Sequence, residues 1–278
     1  MVDLQVLAPG VQRAPLRTPT LPPADATNTL IVGTRRLAVI EPATPHADEQ
    51  AALDALLAER AADGAEVVAV LVTHHHRDHT GYAFALARRL GVPIYAHALT
   101  AARLDFPVDI TLADGDRLEL GDGYALRAIF TPGHAPGHLV FLEERTGIAH
   151  AGDLVAGIGT ILIDPDDGGD MSAYLDSLAR LAEVAPTALV PAHGPVIDAP
   201  QECLARYITH RRQREARILA AVHAGATRVP ELLASAYADT PREIWGLAAR
   251  SLEAHLVKLA AEGRVRREDG VVTPVGAG

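Results

Sequence analysis

The sequence has few of the features typical of secreted or membrane-bound proteins. It contains one cysteine in 278 residues, which excludes an internal disulfide, the usual support of small secreted domains. No segment approaches the roughly 20 consecutive apolar residues of a membrane-spanning helix. Residues 1–6 carry an acid, Asp3, where a signal peptide would be basic, and no apolar segment follows. We therefore expect a cytoplasmic protein with no membrane partner.

Positive charge is also scarce, and it is unevenly distributed. Residues 1–205 carry 13 basic and 27 acidic side chains, a net charge of −14, whereas residues 206–278 carry 12 and 8, a net charge of +4. An acidic body does not favour tight electrostatic capture of nucleic acid. Within residues 206–278, the tail, residues 211–217 hold the one dense run of arginines. This run either steers an anionic substrate or is an ordinary solvated helix face.

A dense group of metal-ligand residues directly follows one apolar run. Residues 67–72 are β-branched or apolar, as is typical of a buried strand. His74 and His76 come next, two residues apart, so both imidazoles project to the same side and one metal ion can bind both. Asp78 and His79 then open a helical pattern and offer further ligands to a second ion. The pattern H-x-H-x-D-H therefore predicts half of a two-metal hydrolytic site.

Three later segments supply the remaining ligands. A site for two metals needs three or four protein ligands per ion, with one position open for water. His134, Asp153 and His193 each follow an apolar run and are flanked by glycine, so each is expected on a loop at a strand end with room for an ion. Each signal is weak alone, and their order after the first motif is what makes them informative.

Taken together, these residues resemble the motifs of the metallo-β-lactamase superfamily over residues 28–196. The resemblance implies an αββα sandwich, of class α/β (α+β), with the site at one edge. Carried over residue by residue, it implies three ligands for one metal, three for the other, and one bridging carboxylate. These are His74, His76 and His134 for the first metal, Asp78, His79 and His193 for the second, and Asp153 as the bridge.

The bridging carboxylate also narrows the branch of the superfamily. The true β-lactamases lack it, and those with a metal-binding cysteine place the cysteine at that position. The only cysteine here, Cys203, lies ten residues beyond His193, and we expect it to be a small buried hydrophobe. Antibiotic hydrolysis is therefore not the expected activity.

The ligand types indicate which cofactors to expect. Carboxylates beside imidazoles suit two divalent ions, most readily Zn²⁺, and tolerate Mn²⁺ or Fe²⁺. Two such ions acidify a shared water, and the hydroxide attacks a carbonyl carbon or phosphorus. We assign catalytic roles to the two carboxylate ligands, Asp78 and Asp153.

From residue 201 the pattern changes to three helices and a short hairpin, which resembles a winged helix. We therefore divide the chain into a catalytic domain, residues 1–200, and a winged-helix domain, residues 201–278. The tail is similar to that of the mitochondrial β-lactamase-like endoribonuclease group, notably at residues 207–211 and 254–259. That group also looks like fungal carrier-protein thioesterases with the same architecture.

The third tail helix is poorly suited to reading DNA. Its outward positions, taken as 250, 253, 254, 257, 258 and 261, hold two cations, one acid and three apolar residues. We expect this helix to pack on the body, or on a second subunit in a homodimer, rather than to bind specific DNA sequences.

Other segments have simpler predictions. The Pro-rich residues 8–23 should be extended and without regular structure. Two strands of a first hairpin and two helices are predicted at residues 29–32, 36–40, 48–62 and 174–184. Three strands of the second sheet are predicted at residues 92–96, 117–120 and 124–128.

Several polar residues near the motifs have roles other than ligation. His75 should face away from the metals, His138 is a candidate to support a ligand, and Asn28 is expected to brace a loop. His210 reaches the cleft only if its helix crosses the active face. Four histidines are expected to be bystanders: His46, His97, His150 and His223.

Three functions remain open. The leading hypothesis is hydrolysis of a small ester or thioester, in the broad manner of hydroxyacylglutathione hydrolase, although the tail does not look like that enzyme's glutathione-binding domain. The alternative is an endoribonuclease acting on single-stranded RNA, which the tail favours and the acidic body disfavours. A non-enzymatic interaction protein with structural metals is the third, and the complete ligand set disfavours it.

Overall fold

Two stacked β-sheets form the centre of the computed structural model, which describes residues 3–275. The first sheet has seven strands in sequence order: β1 (Gln5–Ala8), β2 (Val11–Arg17), β3 (Ala26–Val32), β4 (Arg36–Ile40), β5 (Glu66–Leu71), β6 (Ile94–His97) and β7 (Ile110–Leu112). The second has five strands: β8 (Arg117–Gly121), β9 (Tyr124–Phe130), β10 (Leu139–Glu143), β11 (Ile148–Gly152) and β12 (Ala188–Pro191). Its order is β12-β11-β10-β9-β8. A separate hairpin pairs β13 (Val265–Glu268) with β14 (Val271–Pro274).

Helices cover both outer faces of the stacked sheets. They are α1 (Ala47–Ala62), α2 (Arg77–Thr80), α3 (Ala83–Leu90), α4 (Ala98–Ala101), α5 (Met171–Val184), α6 (Pro200–His223), α7 (Val229–Ala236) and α8 (Trp245–Ala261). Among the described residues, no helix is long and apolar enough to span a bilayer.

Alternation along the strands builds three separate layers of core. Leu30 and Val32 of β3 face the second sheet, whereas Ile31 between them faces α1 and α3. On β10, Phe141 faces the first sheet and Val140 faces α5 and α6. Successive strand residues point to opposite faces, so each sheet buries both sides. This is the predicted αββα sandwich.

Two sequence predictions about strands were wrong. The Pro-rich opening contains β2, which pairs with β3 over its whole length. Pro15 is tolerated because β1 covers only the other end of β2, at residues 11–13, so Pro15 lies where β2 is a sheet edge and its missing N–H costs no pairing. Residues 92–96 overlap β6, which joins the first sheet beside β5 rather than the second. A strand sequence does not specify which sheet it enters, because either sheet buries it equally well.

The C-terminal region has its own apolar core but also shares the core of the sandwich. Residues of α6, α7, α8 and the hairpin form one buried cluster, as the winged-helix prediction requires. Cys203 and Leu204, at the start of α6, are buried instead against α5 and the second sheet, so Cys203 is the buried hydrophobe we expected. Ala254 of α8, predicted to face outward, is buried in the same core of the sandwich, against α5 and the second sheet. The third tail helix thus packs on the body, while the division at residues 200 and 201 stays a prediction. Met1, Val2 and residues 276–278, which fall within those predicted domains, lie outside the described residues.

Candidate metal centre

Four loops at strand ends bring the seven predicted ligands to one edge of the sandwich. His74 and His76 follow β5, and Asp78 and His79 lie on the short helix α2. The other three, His134, Asp153 and His193, follow β9, β11 and β12. Each strand fixes where its loop begins, so residues up to 119 positions apart in the chain converge without any ligand lying inside a strand.

The first cluster consists of three imidazole nitrogens facing one another. The Nε2 atom of His74 lies 2.9 Å from Nδ1 of His76, and Nε2 of His134 lies 3.2 Å and 3.1 Å from these two atoms. Nitrogens bound about 2.0–2.1 Å from one tetrahedral zinc ion are about this far apart. The geometry is that of a three-histidine metal site.

The second cluster lies beside the first, and Asp153 reaches both. Nε2 of His79 is 3.7 Å from Asp78, and Nε2 of His193 is 3.5 Å from the other oxygen of Asp78. Oδ2 of Asp153 is 3.5 Å from Nε2 of His134 and 3.7 Å from Nε2 of His79, and its Oδ1 is 3.6 Å from His193. One carboxylate oxygen is thus within reach of both clusters, as a bridging ligand must be.

The outer nitrogen of each histidine shows which ring nitrogen is free to bind metal. Nδ1 of His134 lies 2.8 Å from the carbonyl of Leu162, and Nδ1 of His193 lies 2.9 Å from that of Ala26. A carbonyl only accepts, so Nδ1 carries the proton in both rings and Nε2 keeps a lone pair toward the centre. At two other histidines a carboxylate accepts the outer N–H instead: Asp167 from Nε2 of His76, and Glu41 from Nδ1 of His79. Such partners are characteristic of metal-binding histidines.

Two buried atoms at the centre have no hydrogen-bond partner among the described residues: Nε2 of His79 and Oδ1 of Asp153. A buried polar atom without a partner is costly, and a cation between these atoms would satisfy both. The donor set, the tautomers and these two atoms therefore fit divalent metal.

Sequence reasoning missed Glu41, which is fully buried beneath the second cluster. Its Oε1 accepts a hydrogen bond from Nδ1 of His79 at 2.9 Å and another from the Thr73 hydroxyl. Because that hydroxyl donates to Glu41, it accepts from Nδ1 of His74, 2.9 Å away. One carboxylate therefore sets the tautomers of a ligand in each cluster. The only signal was an acid directly after the apolar residues of β4, which many surface loops share.

His150, predicted to be a bystander, belongs to the same buried network. It is fully buried, its Nε2 donates to the carbonyl of Asn28 at 2.9 Å, and it lies 3.5 Å from Glu41. The prediction was wrong because a histidine inside β11 gives no sign of what its neighbouring strands place opposite it.

The predicted supports of the site are where we expected them. The side-chain amide of Asn28 donates to the carbonyls of Pro191 and Gly194, and so braces the loop that carries His193. His138 is fully buried and accepts a hydrogen bond from the backbone N–H of Asp153 at 3.0 Å. A Cβ atom on Gly152 would stand 2.5 Å from Nε2 of His138, so this contact requires glycine before Asp153.

A second missed residue, Asp167, contacts the outer side of the first cluster. Its Oδ2 lies 2.6 Å from Nε2 of His76. Its Oδ1 lies 3.4 Å from Nε2 of His75, which does not belong to the group formed by His74, His76 and His134. Asp167 follows no strand and belongs to no ligand motif, so no pattern in the sequence indicates this position.

Charge at the centre favours cations at the second cluster. Burial opposes protonation of His79, but Glu41, Asp78 and Asp153 outweigh it and hold the pKa of that imidazole well above its ordinary value. At the first cluster burial dominates and lowers the pKa of His134 to about 4. Burial also lowers the pKa of His74. Neutral imidazole is the form that binds metal, so His74 and His134 are in their binding form at neutral pH.

A cleft of about 560 Å³ opens onto five of the seven predicted ligands, His76, Asp78, His134, Asp153 and His193. One wall comes from the loop with Leu21 and Pro22, a second from residues 156–162, and a third from the C-terminal region, including Tyr237, Ile244 and Leu247. The lining is mostly apolar. His210 also lines the cleft, so α6 does cross the active face.

The arginine run of the tail is not a free cationic surface. Arg211 is buried, donates to the carbonyl of Ile161 and stacks over Tyr174. Arg214 is buried, stacks over Tyr237 and pairs with Asp239, and Asp239 also binds Arg217 at 2.5 Å. Arg212 and Arg217 are exposed, so the solvated-face alternative fits them and is wrong for Arg211 and Arg214. Helical spacing placed them on one face but could not show that this face is buried.

Comparisons with known proteins agree with this geometry. Residues 22–193 match the family model described as Metallo-beta-lactamase superfamily, and residues 229–272 match the Beta-lactamase associated winged helix domain. The lactamase-like protein adaB of Aspergillus niger is 32% identical over 259 residues, covering 86% of this chain and 76% of that protein. An atrochrysone carboxyl ACP thioesterase of Aspergillus fumigatus is 30% identical over 223 residues, covering 79% and 67%.

A solved structure shows the same fold over nearly the whole chain. The beta-lactamase domain protein from Burkholderia ambifaria superposes with a TM-score of 0.85 at 20% identity, covering 98% of this chain and 94% of that one. Together with the ligand geometry, these matches show that the chain belongs to the metallo-β-lactamase superfamily, as a metal-dependent hydrolase with a C-terminal winged-helix domain.

Proposed function

We propose that this protein hydrolyses a thioester or ester with a bulky apolar acyl group, using two divalent ions, most readily Zn²⁺. The first ion would be held by His74, His76 and His134, the second by Asp78, His79 and His193, with Asp153 between them. This assignment carries the ligand set expected from the sequence onto the two clusters described above.

The residues of the chain divide the work of catalysis. Bound ions would supply an acidified water and a Lewis acid for the substrate carbonyl. Asp78 and Asp153 hold negative charge at the centre, and Glu41 keeps the ring of His79 in its binding tautomer. The walls of the cleft orient the substrate and exclude bulk water around the reacting carbonyl.

The apolar lining of the cleft is the observation that supports an acyl substrate. Leu21, Ile158 and Ile244 are 47%, 41% and 43% exposed, and all three line this cleft. Exposed large apolar side chains gathered around a concave site are a mark of ligand binding. An apolar acyl group would cover them and place its carbonyl over the metals.

The cleft is poorly equipped for the alternative substrate, single-stranded RNA. Phosphate backbones are bound by several free Arg or Lys side chains along a groove. Of the three arginines that line this cleft, Arg211 and Arg214 already bond within the protein. The third, Arg77, has no side-chain hydrogen-bond or ion-pair partner among the described residues. Because Arg211 and Arg214 are buried, replacing them by Glu would disturb packing, and a loss of activity in that variant would not report on RNA binding.

The relatives support the same choice. One is named as a thioesterase acting on an acyl carrier protein, which is the bond class that we propose here. The non-enzymatic alternative loses its basis with membership of a hydrolase superfamily. The cytoplasmic location and the homodimer expected from the sequence stay predictions.

The test is hydrolysis by the zinc-loaded protein of thioesters of increasing acyl size, compared with single-stranded RNA. We expect kcat/KM to rise with apolar acyl size. Ile244→Asp should lower kcat/KM for a large acyl thioester by about tenfold or more, the scale of one lost apolar contact, and leave an acetyl thioester nearly unchanged.

Val257→Asp is the matched control. Val257 is 45% exposed, also belongs to the C-terminal region, and does not line the cleft. Equal turnover of all acyl sizes, equal losses in both variants, or faster cleavage of RNA than of any thioester would each count against the proposal.

A further inference from the structure

Residues 161–167 connect the metal ligands to the C-terminal helices. On the side of the site, the carbonyl of Leu162 accepts from His134 at 2.8 Å, and the carboxylate of Asp167 meets His76 at 2.6 Å. This one segment therefore holds the outer nitrogens of two of the three imidazoles in the first cluster.

The other side of the segment is held by two arginines. Arg211 of α6 donates to the carbonyl of Ile161, and Arg250 of α8 donates to Oδ2 of Asp164 at 2.8 Å. Contacts to the C-terminal helices, at residues 161 and 164, thus alternate with contacts to the predicted ligands, at residues 162 and 167. A movement of the C-terminal helices would therefore move the partners of the two imidazoles.

The segment has little regular structure to fix it otherwise. Only Pro165–Asp167 forms a short 3-10 helix, which Asp164 caps by accepting from the N–H of Asp166. Ile161 and Ile163 anchor its start in the apolar core. The part that carries Asp167 is held from the C-terminal side by Asp164 and its pairing with Arg250.

We propose that Arg250, acting through Asp164 and residues 161–167, is a positioning residue for His76 and His134. The C-terminal domain then tunes the first metal site as well as forming a wall of the cleft. This inference rests on the metal centre of the proposed function but not on its substrate. Partners of metal-binding histidines fix ring orientation and thereby set metal affinity.

The experiment measures Co²⁺ affinity by competition with a chromophoric chelator, together with the visible spectrum of bound Co²⁺, which reports ligand geometry. Arg250→Ala is suitable because the side chain of Arg250 is 58% exposed, so its removal leaves the fold intact. Asp164→Asn breaks the same pair from the other side while keeping a residue that caps helices well. Asp167→Asn removes the direct partner of His76.

We expect Asp167→Asn to weaken binding at the first site by about 10–100-fold. Arg250→Ala and Asp164→Asn should each weaken it by about two- to fivefold, the scale of one exposed ion pair, with a changed spectrum. Arg250→Lys should restore most of the loss. Because Arg250 acts through the segment, the loss in the double variant with Asp167→Asn should be smaller than the product of the single losses.

Arg267→Ala is the matched control, since it removes an ion pair to Glu253 of the same helix α8 without touching residues 161–167. The inference is overturned by wild-type affinity and spectrum in Arg250→Ala, by equal losses in Arg267→Ala, or by losses that multiply in the double variant. A protein that binds Co²⁺ as expected but hydrolyses no thioester would overturn the proposed substrate and leave this inference standing.

Discussion

Replacing Glu41 by glutamine should weaken metal binding, most strongly at the second site, because Glu41 contacts the second-cluster ligand His79 directly. Glu41 and His79 are both fully buried, and the carboxylate accepts the Nδ1 proton of His79 at 2.9 Å. Glutamine has the same shape but lacks the charge and offers an NH₂ group in place of one oxygen. The change therefore tests the hydrogen bonding and charge of this position with almost no change in volume.

Neither orientation of the new amide suits the network. With its oxygen toward His79, its NH₂ faces Nε2 of His150, which already donates to Asn28 at 2.9 Å, so donor meets donor. With its NH₂ toward His79, the ring must move its proton to Nε2, the atom that faces the metals. Loss of such a partner costs about 10–100-fold in metal affinity, which is about 1.4–2.8 kcal/mol.

The assay is metal titration of the chelator-treated protein by calorimetry, with Glu143→Gln as the matched control. Glu143 is also fully buried and accepts several hydrogen bonds, but in the turn at the opposite end of β10 from the site. Glu143→Gln should lower the free energy of unfolding and leave metal affinity unchanged. Wild-type affinity in folded Glu41→Gln, or an equal loss in Glu143→Gln, would refute the reasoning.

Three further predictions concern the bridge, pH and the tail. Asp153→Ala should lose activity by several orders of magnitude, because it removes a carboxylate that lies within 3.7 Å of imidazoles from both clusters; retained hydrolysis would show that no bridge is needed. Burial opposes ionisation of Glu215, but its partners on α8 lower its pKa to about 2 from 4.5, so its contribution to stability is present above pH 4.5 and is lost as pH falls toward 2. Solvent screens part of this interaction, so Glu215→Gln should lower the free energy of unfolding in urea by about 2 kcal/mol at pH 7, less than the full pKa change would imply. The difference should shrink progressively below pH 4.5; a constant difference would contradict this. Deleting residues 201–278 should make the protein aggregate in size-exclusion chromatography, because Cys203 and Leu204 complete the core of the sandwich; a monodisperse, active fragment would show that the tail is independent.

Local patterns predicted most of the residues that meet at the candidate metal centre. His74 and His76 are two residues apart after a strand, and that spacing alone sends both rings to one side. The later ligands each follow an apolar run at a glycine, which marks the end of a strand and room beside it. Because the ends of neighbouring strands meet at one edge of a sheet, such signals predict convergence without knowledge of the contacts.

What the sequence did not determine is which side chains stand behind the ligands and which surfaces become covered. Glu41 and Asp167 are single acids with no spacing pattern, and they matter only because the packing of other segments places an imidazole against each. Arg211 and Arg214 have the helical spacing of an exposed charged face, and they are buried because α6 crosses the sandwich and lies against α7. Periodicity shows which residues share a face, but burial depends on what packs against that face, and only the tertiary structure decides this.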